Sequence, residues 1–193
     1  MALVLASQSP RRRELLHQIG LDDFVVLPAQ GEERMDPALS PAELVEHLSR
    51  QKAAEAAARC APSDTVIAAD TVVALDGRIL GKPADTEDAA RMLRLLSGRQ
   101  HAVFTGVTVR RGDRILTECE RTAVFFRTLS GDEIAWYVST GEPLDKAGAY
   151  GIQGRGIRFV SRIEGDYANV VGLPVCRLLS MLERVSPELT LPG

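Results

Sequence analysis

The chain has 193 residues, 45% of them hydrophobic and 25% charged, which suits one large domain or one domain in two lobes. Its net charge of −3 excludes a global basic field for holding nucleic acid. Cys60, Cys119 and Cys176 are odd in number and scattered, which excludes a disulfide framework or a cysteine metal cluster and suits a reducing cytoplasm.

Ala2 to Ala6 reads as a short buried strand. Arg11-Arg12-Arg13 comes after this apolar start rather than before it, which is the wrong order for a signal peptide. No segment approaches the roughly 18 apolar residues that span a bilayer, so no membrane partner is expected. Ser9-Pro10 opens a helix that Gly20 ends, with Ser9 as the N-cap and proline at the first helical position. Three arginines in the first turn oppose the helix dipole. With the hydroxyls of Ser7 and Ser9 and the free N–H groups, they predict an anion site, most plausibly for phosphate, against the plainer reading of a solvated basic patch.

Phe24 to Leu27 is a second strand, followed by a loop carrying Glu33, which alone means little. Ser40-Pro41-Ala42-Glu43 is a capping box opening a long helix through Arg59 that carries Lys52. Thr65 to Leu75 is an apolar, β-branched run, predicted as a strand buried on both faces. Asp70 interrupts it. A buried carboxylate needs a partner, water or a cation. It is therefore either a capping or turn residue between two short strands, or a functional carboxylate on a rigid strand.

Asp76-Gly77 predicts a tight hairpin turn, and a return strand paired on the first would bring Lys82 back towards Asp70. A helix follows over 86–96 with Gly98 as its stop, then two long antiparallel strands over 101–110 and 114–127 joined at Gly112-Asp113. Ser130 to Glu133 is a second capping box before a helix bearing Trp136 and Tyr137, expected in the core or at a dimer contact. Residues 141–154 lack a helical period and carry glycines, an acid, a base and an amide, the composition of a functional loop. Asp145 and Lys146 are expected to pair there. A strand over 157–163 and a last helix to Val185 complete the order, with Asn169 as a turn cap. His17, His47 and His101 are expected to be structural, and the cysteines small core residues. The sum is an α/β fold with a mixed sheet, split by a cleft into two lobes.

Ala6-Ser7-Gln8-Ser9-Pro10-Arg11-Arg12, Ala69-Asp70-Thr71-Val72, Gly81-Lys82-Pro83, the run Glu142 to Gly154, and Val171-Gly172-Leu173-Pro174 together resemble the Maf proteins. The resemblance runs from the first strand to the last helix. It implies one Maf-like α/β domain over 1–193: an elongated mixed twisted sheet flanked by helices, two lobes around a cleft, similar to the inosine triphosphate pyrophosphatases. It implies a nucleoside triphosphate pyrophosphatase with a divalent metal, Mg²⁺ or Mn²⁺, and, as often in the family, a homodimer; the cytoplasmic setting is the one the cysteines suit. Members have also been linked to inhibition of septum formation in bacteria.

One Maf branch acts on dTTP and UTP; another acts on 7-methyl-GTP and typically has Trp, Gln and Glu where this chain has Arg11, Thr71 and Gln153. The chain therefore resembles the dTTP/UTP branch. The chemistry agrees: a carboxylate suits the cationic 7-methylguanine, whereas an amide suits a neutral uracil or thymine edge. On this reading Ser9, Arg12 and Arg13 hold phosphates, Lys52 and Lys82 add positive charge for substrate binding, and Asp70 is the general base or shares the metal with Glu33. Whether Asp70 takes the proton or the metal stays open at this level. The alternative from another class is a non-catalytic nucleotide-binding regulator of cell division. Within enzymes, the alternative is a pyrophosphatase that prefers modified pyrimidine nucleotides.

Overall fold

The computed structural model describes residues 1–31 and 36–189. The elements in order are β1 (Leu3–Leu5), α1 (Pro10–Gln18), β2 (Phe24–Val26), α2 (Pro41–Ala57), β3 (Thr65–Leu75), β4 (Arg78–Leu80), α3 (Thr86–Leu96), β5 (Gln100–Arg111), β6 (Arg114–Phe126), α4 (Gly131–Ser139), β7 (Val160–Glu164), α5 (Tyr167–Val171) and α6 (Val175–Val185). Among the described residues seven strands form one sheet in the order β2-β1-β3-β5-β6-β7, with β4 also on β3. β1 pairs in parallel with β2 and β3; every other pairing is antiparallel. This is the mixed α/β sheet expected from the sequence.

β3 is the spine. One edge pairs continuously with β5, from Val66 opposite Arg110 to Ala74 opposite Ala102. Its other edge is shared: β1 covers Thr65 to Ile67, and β4 covers Val73 to Leu75. Among the described residues no strand pairs with that edge between them, and Asp70 lies in this window. The β3–β4 hairpin turns at Asp76-Gly77, both at positive φ (49° and 77°), as a tight primed turn requires.

Two cores share the sheet. One gathers Leu5, Leu16, Ile67, Val109, Leu178 and Met181 under the β1 half. The other gathers Val73, Leu93, Leu96, Val124, Phe126, Tyr137 and Phe159 under the β4 half. The waist between them is the cleft. α2 covers the opposite face, with Leu44, Val45 and Leu48 packed on Val72, and Ala53 and Ala56 on Val66 and Ala68. That spacing of three and four is one helical face.

Several details differ from the sequence reading. The last helix runs to Val185 as expected, but a short helix not read from the sequence, α5, precedes it, with Gly172 (φ 126°) and Pro174 separating the two. Residues 142–159 are not irregular throughout but include three 3₁₀ turns, at 142–145, 147–149 and 155–159, and β7 begins only after the last. α2 stops at Ala57. Of the cysteines expected in the core, Cys60 and Cys119 are half-buried and pack against it, burial pushing the Cys119 thiol up to about 11, whereas Cys176 is exposed. Asn169 does more than cap a turn. It is wholly buried and donates to the Val103 carbonyl at 3.1 Å and to Thr122 Oγ1 at 3.0 Å.

His101 is structural, as expected, and buried. Its Nε2 lies 2.8 Å from the Tyr150 hydroxyl, while Nδ1 has no hydrogen-bond partner among the described residues. Desolvation lowers its pKa from 6.5 to about 4. Below pH 6.5 the unfolded chain therefore binds a proton that the folded chain refuses. This contribution to stability is whole above pH 6.5 and is lost as pH falls towards 4. The full loss is about 3 kcal/mol. Urea unfolding across that window should show the decline, and it should be shallower in His101→Gln. An NMR titration midpoint for His101 at the ordinary histidine value would contradict this assignment.

Candidate active site

Three contacts set α2 over the sheet. Gly106, which faces Asp70 across the β3–β5 ladder, lets the helix backbone in: a Cβ there would meet the Val45 carbonyl oxygen at 2.3 Å. One turn on, Ser49 Oγ lies 2.9 Å from Thr108 Oγ1. Two turns after Val45, on the same face, Lys52 Nζ donates to Asp70 Oδ1 at 2.5 Å. Both side chains of that pair are largely buried, at 15% and 9% exposure. Asp70 is thus a paired carboxylate in the middle of a continuous strand, and the turn or capping reading is excluded by β3 itself.

The window in the β3 edge opens into a cleft of about 640 Å³. Ser9, Arg11, Arg12, Lys52, Asp70, Thr71, Lys82 and Gln153 all line it, so the structure brings eight of the residues singled out in the sequence to one place. Arg13 is different. It is exposed and faces a separate shallow groove with Glu14 and His17. Glu33 lies outside the described residues.

The three arginines of α1 divide because a helix turns 100° per residue. Arg11 crosses the cleft towards Asp145, with Nη1 3.8 Å from Oδ2. Arg12 points inward. Its Nε donates to the Gly172 carbonyl at 2.8 Å, Nη1 to Ser7 Oγ at 3.1 Å, and Nη2 to Thr71 Oγ1 at 3.0 Å. Thr71 and Thr105 hydroxyls lie 2.9 Å apart, and Thr105 donates to the Asn169 carbonyl at 3.0 Å. With that proton committed, the Thr71 hydroxyl is the donor to Thr105. The expected Ser9 cap does not form. Ser9 has the extended conformation of an N-cap but its hydroxyl makes no capping bond; separately, Ser7 Oγ accepts the Ser9 N–H at 3.2 Å.

The far wall is the 142–156 segment. Lys146 donates to Asp145 at 2.6 Å and to the Glu142 carbonyl at 2.8 Å, which is the expected ion pair with a backbone tie added. Burial works against the Glu142 carboxylate, but the Arg155 N–H, the Tyr137 hydroxyl, the Gly156 N–H and the Lys146 charge together hold its pKa below the ordinary glutamate value. Gly148 (φ 68°) donates its N–H to the Gly81 carbonyl at 3.0 Å and docks this wall beside Lys82. Tyr150, which also lines the cleft, was not singled out by the sequence, since its importance comes from His101 behind it. Gly172 was quoted only as part of a motif; its carbonyl as the Arg12 acceptor has no sequence signal.

A carboxylate at the floor of a cleft, ringed by Arg11, Arg12, Lys52, Lys82 and Lys146, defines an α/β protein built to meet a polyanion beside an acid. Comparison with known proteins agrees with the geometry. The family model described as Maf-like protein matches residues 2–185, and the chain belongs to that family. It is 54% identical to a dTTP/UTP pyrophosphatase of Symbiobacterium thermophilum over 93% of this chain and 92% of that protein. The dTTP/UTP pyrophosphatase of Bacillus pumilus is 52% identical (94% and 95% covered) and that of Pyrococcus furiosus 48% (94% and 94%). Among solved structures, a dITP/XTP pyrophosphatase from Mycobacterium abscessus is similar with a TM-score of 0.46 at 14% identity, covering 98% of each chain.

Arg12 is the joint between α1, β3 and the turn at Gly172. Its acceptors lie in three directions, which a planar five-donor fork satisfies and an ammonium does not. Arg12→Lys should therefore lower unfolding stability by about 1–3 kcal/mol. A lysine variant as stable as the parent in urea would show that the joint is ornamental.

Proposed function

We propose that this protein hydrolyses dTTP and UTP at the α–β phosphoanhydride, releasing the nucleoside monophosphate and pyrophosphate. The observation that carries the reading is the Lys52–Asp70 pair, held at 2.5 Å in the window of β3, at the base of the cation-lined cleft. The names and closeness of the relatives support the substrate, as do Arg11, Thr71 and Gln153 lining the same cleft.

Hydrolysis needs the phosphate charge neutralised and a water aimed at the α-phosphorus. Arg11, Lys82 and Lys146 supply positive charge along the cleft. The N-terminus of α1, whose Ser9 hydroxyl makes no capping bond, adds N–H donors beside them. Asp70 on a rigid strand takes a proton from the water as its oxygen bonds to the α-phosphorus. The bond from that phosphorus to the bridging oxygen breaks, and pyrophosphate leaves with the bridging oxygen. Lys52 holds the carboxylate in place throughout. Gln153 meets the base edge with one donor and one acceptor.

Among the described residues no three His, Cys, Asp or Glu side chains cluster as a metal set, and Asp70 and Asp145 are the carboxylates lining the cleft. That donor set fits Mg²⁺ or Mn²⁺, because magnesium takes only one or two protein carboxylates and completes its shell with water and substrate phosphates. In the alternative in which Asp70 holds the metal and not the proton, Glu33 would be the second acid expected from the sequence. Bound there, a divalent cation would neutralise charge on the phosphates.

Purified protein mixed with dTTP, UTP, CTP, GTP, ATP and 7-methyl-GTP, with and without Mg²⁺ or Mn²⁺, should release pyrophosphate from dTTP and UTP. Orthophosphate instead would mean cleavage at the other anhydride, and the reading fails. Asp70→Asn should lower turnover about 10²–10⁴-fold while remaining folded; near-normal turnover removes Asp70 from the mechanism. The reading also takes with it the cytoplasmic setting and the homodimer expected from the resemblance. Sedimentation equilibrium should give twice the chain mass, and a monomer at assay concentration would rule the dimer out.

A further inference from the structure

The arc that carries Gln153 is held from behind by one carboxylate. Glu142 Oε1 accepts from the Tyr137 hydroxyl at 2.8 Å and from the Gly156 N–H at 3.3 Å, and Oε2 accepts from the Arg155 N–H at 3.0 Å. The Tyr137 oxygen accepts in turn from the Gly151 N–H at 3.1 Å. The backbone is thus tied to one side-chain pair both before and after Gln153. The fit leaves no slack. A Cβ on Gly154 would lie 2.2 Å from Glu142 Oε1, and one on Gly156 would lie 2.9 Å from the Tyr137 hydroxyl. Tyr137, on α4, is wholly buried in the core, so it anchors the pair to the fold. Neither residue lines the cleft, although Gln153 does.

A charged acceptor gives its donors roughly twice the strength of a neutral one, which suits a group that must fix three donors at once. Rigidity matters here because an amide presents a donor on one side and an acceptor on the other. Held in one orientation, it distinguishes the uracil edge from cytosine, where a carbonyl is replaced by an amino group. Free to turn over, it fits both.

We propose that Glu142, acting with Tyr137, is a positioning residue for nucleobase selection: it fixes the 151–156 arc, and so the aim of Gln153, without touching substrate. This rests on the reading of Gln153 as the side chain that meets the base. A role confined to stability would move turnover of all substrates together. Positioning moves the preference between them.

The test is kinetic. For wild type, Glu142→Gln, Tyr137→Phe, Gln153→Ala and the Glu142→Gln/Gln153→Ala double variant, kcat and KM would be measured for UTP and CTP, with thermal melts to check folding. Glu142→Gln should raise KM for UTP more than it lowers kcat and should cut the UTP-over-CTP ratio of kcat/KM about tenfold. Tyr137→Phe should act in the same direction, and it carries the test alone if the Glu142 variant does not fold. In the Gln153→Ala background, Glu142→Gln should leave the ratio unchanged. A uniform loss of kcat at constant ratio, or an equal further loss of preference in that background, overturns the positioning role. If wild type shows no preference for UTP, or Gln153→Ala leaves the preference intact, the reading of Gln153 falls and the proposal with it. If Gln153→Ala abolishes the preference but Glu142→Gln does not, only the positioning role falls.

Discussion

The cleft is organised around one ion pair placed where a sheet is left open. β3 is too long for its partners on one side: β1 covers one end, β4 the other, and Asp70 falls between them. A carboxylate at 7% exposure in an apolar strand is tolerable only with a charged donor at hand. Lys52 provides it from α2, and α2 reaches that position because Gly106 has no side chain to hold it off. A partly buried ion pair adds little to stability, since desolvating two charges costs several kcal/mol per ion. Apolar residues of similar volume would serve the fold as well. The needs of the core therefore do not call for the pair; on the proposed reading, the chemistry of the cleft does.

The continuous β3–β5 ladder makes the cleft rigid without closing it. Each end of the ladder has its own core, and both cores are anchored to the same two strands. Residues from the β1 end, Ser9, Arg11 and Arg12, therefore face residues from the β4 end, Lys82, Lys146 and Gln153, at a separation fixed by strand geometry. On the proposed reading, Arg11 from the first set and Lys82 and Lys146 from the second meet the phosphates while Gln153 meets the base, and the sheet sets the distances between them. Strands place catalytic groups more firmly than loops do, and Asp70 is on the strand.

Much of this was legible in the sequence. The capping boxes at Ser40 and Ser130, the Asp76-Gly77 turn and the alternating β5 and β6 strands are local signals, and they produced the elements in nearly the right bounds. Asp70 was legible because a lone charge in a β-branched run breaks a pattern. Arg13 was misplaced because adjacency in sequence does not survive a helix: three consecutive arginines occupy three directions. The expected Ser9 cap is absent: its hydroxyl accepts no N–H of the first turn, while the Ser7 hydroxyl is engaged by the Ser9 N–H and Arg12, contacts no spacing rule records. His101 behind Tyr150, and Glu142 behind Gly156, are invisible in sequence for the same reason. Each works through a contact between segments whose approach is decided by tertiary packing.

Asp70 and Thr71 show how period-two geometry serves the site. Neighbours on a strand point to opposite faces. Asp70 faces α2 and finds Lys52; Thr71 faces the other way and finds Arg12. In a sheet paired on both edges, two such residues would be separated by the strand and could not share a cavity. Because the edge is open at this point, both line the same cleft. From Thr71 the hydrogen bonds continue through Thr105 to the Asn169 carbonyl, so Arg12 is coupled to the turn before α6 by side-chain hydroxyls as well as by its direct bond to Gly172. A substitution at Thr71 therefore alters the inner face of the cleft and loosens Arg12 together. The same gap in the β3 edge opens Asp70 and Thr71 to one cleft, and one strand holds them in register; on the proposed reading, that seats a position that distinguishes substrates beside the reacting carboxylate.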